Sequence, residues 1–221
     1  MSQILPILEV QHLGRKLDQH WLWQGISFSL PSGCSLALMG ASGSGKTLLL
    51  RSLAGLDEVA AGSILLLGKA QQDWSMPEYR RQIMYLSQRP AIFAGTVEDN
   101  LKRVWQLQIH QSRLYDREKI LAYLEQLHYP SHFLEQPGAT LSGGERQLLN
   151  LLRSLQLDPH VLLLDEPTAS LDAATALRVE SLLQTWVQAA EQRVCIWTSH
   201  QSDQLHRVCN TSLLLHKSNH D

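Results

Sequence analysis

The eight residues Gly40–Thr47, GASGSGKT, lie between an apolar run, SLALM (35–39), and a helical pattern, TLLLRSLAGL (47–56). They fit the pattern G-x-x-x-x-G-K-[ST], and a strand before it and a helix after it are the context that supports it. Glycines allow consecutive backbone N–H groups to curve around phosphate oxygens, and the start of the helix adds partial positive charge. The stretch therefore predicts a phosphate-binding loop inside an α/β fold.

Composition limits the classes of protein that fit around this loop. The chain has 221 residues, a formal net charge of −2 and no basic arm, which argues against general attraction to nucleic acid or anionic lipid. Its apolar runs are far shorter than the roughly 18 residues of a membrane span, and the first ten residues lack a basic signal-peptide region. Three cysteines without C-x-x-C spacing, Cys34, Cys195 and Cys209, favour a reduced, cytosolic protein without a zinc site.

Hydrophobic periodicity predicts the order of the remaining elements. Alternating residues in 7–13 and 21–30 predict antiparallel strands at the front, and 62–70 is a further strand pattern. A polar loop is expected next, then a strand over 83–88 that ends in Gln88. Helical patterns fill 96–108 and 116–127, after which strand patterns at 161–167, 194–200 and 211–217 alternate with helices, one of them near 173–190. We expect one domain over residues 1–221, with an α/β core at about 1–88 and 154–221 and an inserted helical subdomain at about 89–153.

The phosphate loop predicts specific roles for its residues. Lys46 is expected to reach the β- and γ-phosphates, and the Thr47 hydroxyl to ligate Mg²⁺. The set predicted to bind the nucleotide here is Gly40, Ala41, Ser42, Gly43, Ser44, Gly45, Lys46, Thr47 and Leu48.

A second acidic motif, VLLLDEP (161–167), ends an apolar strand with two carboxylates. Burying them is costly unless a cation or a substrate compensates them, although a solvated acidic turn would also fit this segment alone. Asp165 is predicted to associate with Mg²⁺. Glu166 is predicted to point the other way by strand alternation and to polarise an attacking water.

The signature segment, Leu141–Gln147 (LSGGERQ), precedes a helical pattern with two glycines. Each glycine costs a helix about 1 kcal/mol relative to alanine, and Ser142 as an N-cap does not require them. Gly143 and Gly144 therefore suggest that something approaches this backbone closely.

Together these motifs resemble the ATP-binding cassette of ABC transporters over essentially the whole chain. The order that carries the resemblance is the phosphate loop, Gln88, LSGGERQ, LLLDEP, SLD (170–172) and SH (199–200). The resemblance implies a P-loop fold with a mixed, mostly parallel sheet, an N-terminal antiparallel β-subdomain and an inserted helical subdomain. It further implies that Glu166 is the general base, that His200 contacts the γ-phosphate, and that Gln88 senses Mg²⁺ and water.

The same resemblance implies partners. Ser142, Gly143, Gly144 and Glu145 would bind the ATP that a second copy holds, with Asp172 communicating across this head-to-tail homodimer. A separate polytopic membrane subunit would hold the chain at the cytoplasmic face of the cell membrane, and no nucleic acid is expected. The coupling helix of that subunit is expected near Arg89–Asn100, against exposed Ile92 and Phe93, unless these two pack inside the helical subdomain.

Two positions depart from the family pattern, and the transported substrate stays open. The aromatic residue that usually stacks on adenine aligns with Leu17; Trp21 or Trp23 could replace it, or could pack on the core. Leu148 stands where many relatives have arginine. The middle of the chain is similar to small bacterial cassettes of iron export, which makes iron efflux a hypothesis. The alternatives are an importer, a lipid or lipoprotein system, or a soluble ABC ATPase outside transport.

Overall fold

The computed structural model describes residues 5–216 and contains two β-sheets. The front sheet is antiparallel with strand order β2-β1-β4-β5. Its strands are β1 Leu8–Leu17, β2 His20–Leu30, β4 Ala61–Leu66 and β5 Lys69–Ala70.

The central sheet has strand order β6-β7-β8-β3-β9, and all four of its strand pairs are parallel. Its strands are β3 Ser35–Met39, β6 Ile83–Leu86, β7 Val161–Asp165, β8 Val194–Thr198 and β9 Thr211–Leu214. The predicted fold class is confirmed, and the antiparallel strand pairs of residues 5–216 lie in the front sheet. Because the strands are parallel, the residues that follow β3, β6, β7 and β8 gather at one edge of the sheet.

Seven α-helices accompany the sheets in the described part of the chain. They are α1 Lys46–Leu53, α2 Met76–Gln82, α3 Val97–Lys102, α4 Arg117–Gln126, α5 Gly143–Leu155, α6 Ala173–Gln188 and α7 Ser202–Val208. Short 3-10 turns connect α3 to α4 and α4 to α5.

Strand β7 separates two hydrophobic clusters. Leu162 and Leu164 pack with the helical residues between β6 and β7, whereas Val161 and Leu163 pack with the front sheet and α1. All four side chains are fully buried, and burying one such side chain stabilises the fold by about 1.5–3 kcal/mol. The helical segment therefore shares a core with the central sheet. The predicted subdomain boundary at residue 153 falls inside α5, so that division stays a prediction.

Several predicted boundaries are wrong, and one helix was not predicted. The strands predicted to end at residues 167, 200 and 217 end at Asp165, Thr198 and Leu214, and residue 217 lies outside the described residues. The predicted polar loop contains α2, whose first turn is capped by the Ser75 hydroxyl accepting from the Glu78 amide. Strand β6 ends at Leu86, so Gln88 lies two residues beyond it. Helix α3 ends at Lys102, well before residue 108. None of the helices between residues 5 and 216 combines the length and the apolarity that a bilayer span requires.

Candidate functional site

The phosphate loop runs from the end of β3 into α1. Gly43 and Gly45 adopt φ angles of 76° and 94°, which side chains other than glycine rarely tolerate. A Cβ atom on Gly45 would also lie 2.7 Å from Leu22 and 2.8 Å from Nε1 of Trp23, so the loop packs directly on β2. The Ser44 hydroxyl is buried inside the loop and has no hydrogen-bond partner among residues 5–216. This unpaired hydroxyl, with the glycine-shaped loop, fits an anionic ligand.

Two side chains at the start of α1 converge on the loop. The Lys46 Nζ atom donates to the carbonyl oxygens of Gly40 at 2.8 Å and Ala41 at 3.2 Å, which places its charge over the loop. The Thr47 hydroxyl donates to Oδ2 of Asp165 at 2.9 Å. The side chain of Leu48 is half-buried and packs on the front cluster. Residues of the loop and of the β7 end are thus in direct contact.

Asp165 is buried at the end of β7 and accepts three side-chain hydrogen bonds. Besides Thr47, the Tyr85 hydroxyl donates to its Oδ2 at 2.9 Å and the Thr198 hydroxyl to its Oδ1 at 3.0 Å. Burial and the neighbouring carboxylate raise the pKa of Tyr85, which keeps its proton available for this bond. A threonine hydroxyl beside an aspartate supplies oxygen ligands of the kind that Mg²⁺ prefers, so the pair fits that ion.

Glu166 does not continue the strand. Its φ of 51° places it in the left-handed region. The direction of its side chain was predicted from strand alternation, and that reason is wrong because Glu166 is not in a strand conformation. Its amide donates to the Thr198 hydroxyl at 3.1 Å. Its carboxylate accepts from Nε2 of Gln88 at 2.8 Å and lies 2.8 Å from Nε2 of His200. Gln88 and His200, which follow β6 and β8, therefore both contact the carboxylate of Glu166, which follows β7.

The signature segment starts α5 with a reciprocal capping box. The Ser142 hydroxyl accepts from the Glu145 amide at 3.2 Å, and the Glu145 carboxylate accepts from the Ser142 amide at 2.8 Å. The bond from the Ser142 backbone is the main reason that the pKa of Glu145 is lowered. Helix geometry leaves the amides of Gly143 and Gly144 without an intrahelical acceptor, and Gly143 is exposed. This end of α5 can therefore receive an anion.

The two signature glycines differ in their surroundings within the chain. A Cβ atom on Gly144 would lie 2.9 Å from the carbonyl oxygen of Ser170, which is too close. Within the described part of the chain, a Cβ atom on Gly143 would meet only the Ser170 side chain, at 3.4 Å and beyond, which is ordinary contact. Gly144 is thus explained by packing inside the chain, whereas Gly143 is not.

Asp172 is the N-cap residue of α6. Its Oδ1 atom accepts from the Thr175 amide at 3.0 Å, and bonds to Thr175 lower the pKa of Asp172. In the described residues, no hydrogen bond joins Asp172 or Ser142–Glu145 to the phosphate loop. The structure thus assembles the Lys46–Thr47–Asp165 and Gln88–Glu166–His200 groups, and leaves the signature segment outside them.

The candidates for adenine stacking are placed differently from one another. Leu17 is 45% exposed at the end of β1. Trp21 is half-buried, with Lys16 Nζ lying 4.7 Å from the ring centroid. Trp23 is 1% exposed and belongs to the front cluster, as expected of a strand face packed on the core.

Sequence reasoning missed three residues that shape the site, Tyr85, Gln147 and Thr198. Thr198 had a usable signal, because it ends an apolar strand beside the strand of Asp165. Gln147 looked like an ordinary helix residue. The absence of a zinc site, which was predicted from cysteine spacing, stays a prediction.

A further buried network supports the loops around Glu166 and His200. Gln204 on α7 donates to the Thr168 hydroxyl and to Glu180, each at 2.8 Å, and accepts from the Ser199 hydroxyl at 2.7 Å. Because Ser199 precedes His200 and Thr168 follows Glu166 by two residues, Gln204 connects the two loops behind their functional side chains. Such a satisfied network favours one loop arrangement.

Comparison with known proteins places this geometry in a family. The family model described as ABC transporter matches residues 23–169. The chain is 34% identical to the "Probable iron export ATP-binding protein FetA" of Escherichia coli, over 94% of this chain and 91% of that protein. It is 32% identical to the methionine import ATP-binding protein MetN of Chlamydia pneumoniae, over 98% of this chain and 64% of that protein.

A solved structure has the same fold. It is described as a dimeric post-hydrolysis state of an ATP-binding cassette bound to ADP and Pi, and it superimposes with a TM-score of 0.81 at 21% identity, over 94% of each chain. The phosphate loop, the Thr47–Asp165 pair and the family match all agree on the ligand, ATP with Mg²⁺. The chain belongs to the ABC transporter family, a family of ATP-hydrolysing domains.

Proposed function

We propose that the chain is the ATP-hydrolysing subunit of a transporter and works as a head-to-tail homodimer beneath a separate membrane subunit. The observation that carries the proposal is the contact of Glu166 with Gln88 and His200, beside the Lys46 loop. A carboxylate held by two neighbours at 2.8 Å is fixed in orientation, which a general base requires. The transport role is supported by the similarity to FetA and MetN, which are named for iron export and methionine import.

Each residue of the site has a proposed task. Glu166 takes a proton from the attacking water, and Lys46 and the loop amides bind the phosphates. Thr47 and Asp165 hold Mg²⁺, together with Gln88, and this ion neutralises charge on the phosphates when bound. His200 orients the Glu166 carboxylate and reaches the γ-phosphate.

The signature segment completes the site of a second copy. The free amides of Gly143 and Gly144 suit a triphosphate, and the lysine that such a site needs would come from Lys46 of the other subunit. Asp172, which is exposed near Ser170, lies on the same face for contact across the dimer. The dimeric cassette of the same fold, described as bound to ADP and Pi, supports this assembly.

Turnover and assembly test this proposal together. Glu166→Gln should keep ATP binding, slow hydrolysis by roughly two orders of magnitude or more and accumulate an ATP-bound dimer in gel filtration. Lys46→Ala should weaken ATP binding, because the charged phosphate contact is lost. Glu191→Gln, the same change at an exposed position, is the matched control and should behave as the parent. A Glu166→Gln protein that hydrolyses ATP at the parental rate would exclude Glu166 as the base.

The membrane subunit has a candidate docking groove beside β6. A cavity of 720 Å³ lies between α2, the edge strand β6 and the helical region, with an apolar lining. Three arginines, Arg80, Arg81 and Arg153, line it, and no Asp or Glu is among its described lining residues. We therefore assign this groove to a short amphipathic helix of the membrane subunit that carries a carboxylate.

This groove continues into the segment predicted from the sequence. Arg153 donates to the Ala91 carbonyl at 3.0 Å, and both Arg153 and Arg103 lie over the ring of Phe93. Phe93 is 39% exposed, whereas Ile92 is half-buried against the helical cluster. The expectation that both are exposed is therefore wrong for Ile92. Its packing on the helical cluster follows the alternative prediction, and Phe93 is the more exposed of the two.

Iron efflux is the proposed form of transport, supported by the match to nearly the whole length of FetA. The similar identity to MetN, which is named for methionine import, keeps import as the second candidate. Deleting the gene should raise cellular iron and peroxide sensitivity, and unchanged values would refute iron efflux. Co-purification should recover a small polytopic membrane protein, and Leu107→Asp on the groove should abolish this while preserving the ATPase activity of the isolated protein. Recovery of nucleic acid or ribosomes would instead indicate a soluble ABC ATPase outside transport.

A further inference from the structure

Gln147 connects the signature helix to the turn that carries Glu166. It lies in the second turn of α5 and is 6% exposed. Its Nε2 atom donates to the Glu166 carbonyl oxygen at 3.2 Å, and its Oε1 atom accepts from the Ser170 amide at 3.0 Å. One side chain thus holds both ends of the Glu166–Ser170 turn.

The conformation of Glu166 requires such support. A glutamate in the left-handed region is strained, and a residue before proline, here Pro167, is normally extended. Thr198 accepts from the Glu166 amide and Gln147 donates to the Glu166 carbonyl, so the strained residue is held from both sides. Removing either bond should let the carboxylate leave its position between Gln88 and His200.

The same helix presents the signature glycines. Gly144 packs closely on the Ser170 carbonyl. Gln147, three positions later in the same helix, contacts the Ser170 amide. The first two turns of α5 and the Glu166–Ser170 turn are therefore attached at two points. A displacement of the helix start has to move this turn.

We propose that Gln147 is a positioning residue that couples the signature helix to the orientation of Glu166 in the same subunit. When the amides of Gly143 and Gly144 engage the ATP of a second copy, the helix is fixed and Gln147 fixes the turn. Occupancy of one site then sets the geometry of the base in the other. The inference rests on the proposed dimer.

Gln147→Leu tests this, with Gln156→Leu as the matched control. Gln156 caps the other end of α5, is 3% exposed and makes three side-chain hydrogen bonds, with Trp105 and with the carbonyls of Leu101 and Arg153. For Gln147→Leu we expect kcat to fall by about tenfold to a hundredfold, with KM and Kd for ATP within about threefold. Hydrogen exchange of the Glu166–Ser170 amides should also accelerate without nucleotide. Gln156→Leu should lower the melting temperature but leave kcat and this exchange unchanged.

A second variant keeps the test decisive if Gln147→Leu unfolds. Gln147→Glu keeps an acceptor for the Ser170 amide but places a carboxylate against the Glu166 carbonyl, so kcat should fall while exchange at Ser170 stays slow. A kcat within twofold of the parent in both variants, or equal losses in Gln147→Leu and Gln156→Leu, would overturn the inference. If the parent itself does not hydrolyse ATP, the proposed function fails instead. The nucleotide-free exchange result then still shows whether Gln147 holds the turn.

Discussion

Replacing each signature glycine by alanine separates the needs of the fold from those of the second copy. In Gly143→Ala the new methyl group has room within the chain, since its nearest neighbour is the Ser170 Cβ atom at 3.4 Å. In Gly144→Ala the methyl group would lie 2.9 Å from the Ser170 carbonyl oxygen and 3.1 Å from Leu171 Cδ2. Both glycines lie in the first turn of α5, and neither has a positive φ.

The two substitutions should therefore change stability in opposite directions. Alanine in a helix at an unstrained position stabilises a protein by about 0.5–1 kcal/mol, mainly by restricting the unfolded chain. This gain should appear in full for Gly143→Ala. For Gly144→Ala, forcing the Ser170 backbone to shift should cost about 1–3 kcal/mol, which leaves a net loss of roughly 1 kcal/mol.

Gly143→Ala should weaken ATP-driven dimerisation even though it stabilises the fold. Because Gly143 is exposed and its amide lacks an intrahelical acceptor, a methyl group there should obstruct the ATP of the second copy. We expect ATP-driven dimerisation of Gly143→Ala to weaken at least about tenfold, roughly 1.4 kcal/mol, despite its higher stability. Urea unfolding without nucleotide gives the stability, and gel filtration in the Glu166→Gln background gives the dimer.

Three results would refute this reasoning. If Gly143→Ala were less stable than the parent, a methyl group would not fit at this position as inferred. If Gly144→Ala matched Gly143→Ala in stability, the contact with Ser170 would not constrain the fold. A Gly143→Ala protein that dimerises with parental affinity would show that ATP does not approach this backbone.

Two further predictions concern the support of the phosphate-loop helix. The Tyr79 hydroxyl is fully buried and donates to the Leu53 carbonyl at 2.6 Å, so Tyr79→Phe should lower the free energy of unfolding by about 1–3 kcal/mol in urea, and an unchanged midpoint would contradict this bond. The hydrogen bonds from Arg51, with Arg15 nearby, lower the pKa of Asp57 below its usual value. This stabilisation is fully present above about pH 4 and is lost as the pH falls through the lowered pKa. Asp57→Asn should therefore destabilise at pH 7, and its deficit should shrink below pH 4; a constant deficit would refute the assignment.

The sequence predicts the central sheet and the phosphate loop well, because both are encoded locally. Uniformly apolar runs predict the buried strands β7 and β8, and glycine spacing predicts the loop. Helix α2 was missed because its stability comes from elsewhere. It is short and polar, and Tyr79, its anchor, bonds to the end of α1.

The site is less predictable for the same physical reason. Pattern and position predict which residues gather at the sheet edge, but strand alternation gave the wrong account of Glu166. A residue before proline should be extended, whereas side chains of Thr198 and Gln147, distant in sequence, hold Glu166 in the left-handed region. Such a conformation is fixed by tertiary hydrogen bonds and cannot be read from its own neighbours.

The placement of Gln147 on the signature helix has a mechanical consequence. Gln147 is five positions after Ser142, which is about 7.5 Å along a helix. A hydrogen-bonded helix is stiff over this distance, so a displacement at its start reaches Gln147 almost undiminished, whereas a flexible loop would absorb it. The Glu166 side of the contact is also stiff, because Thr198 bonds both the Glu166 amide and Asp165. In the proposed dimer, a rigid link between two fixed points would allow ATP on one copy to control the base of the other without any rearrangement of the intervening fold.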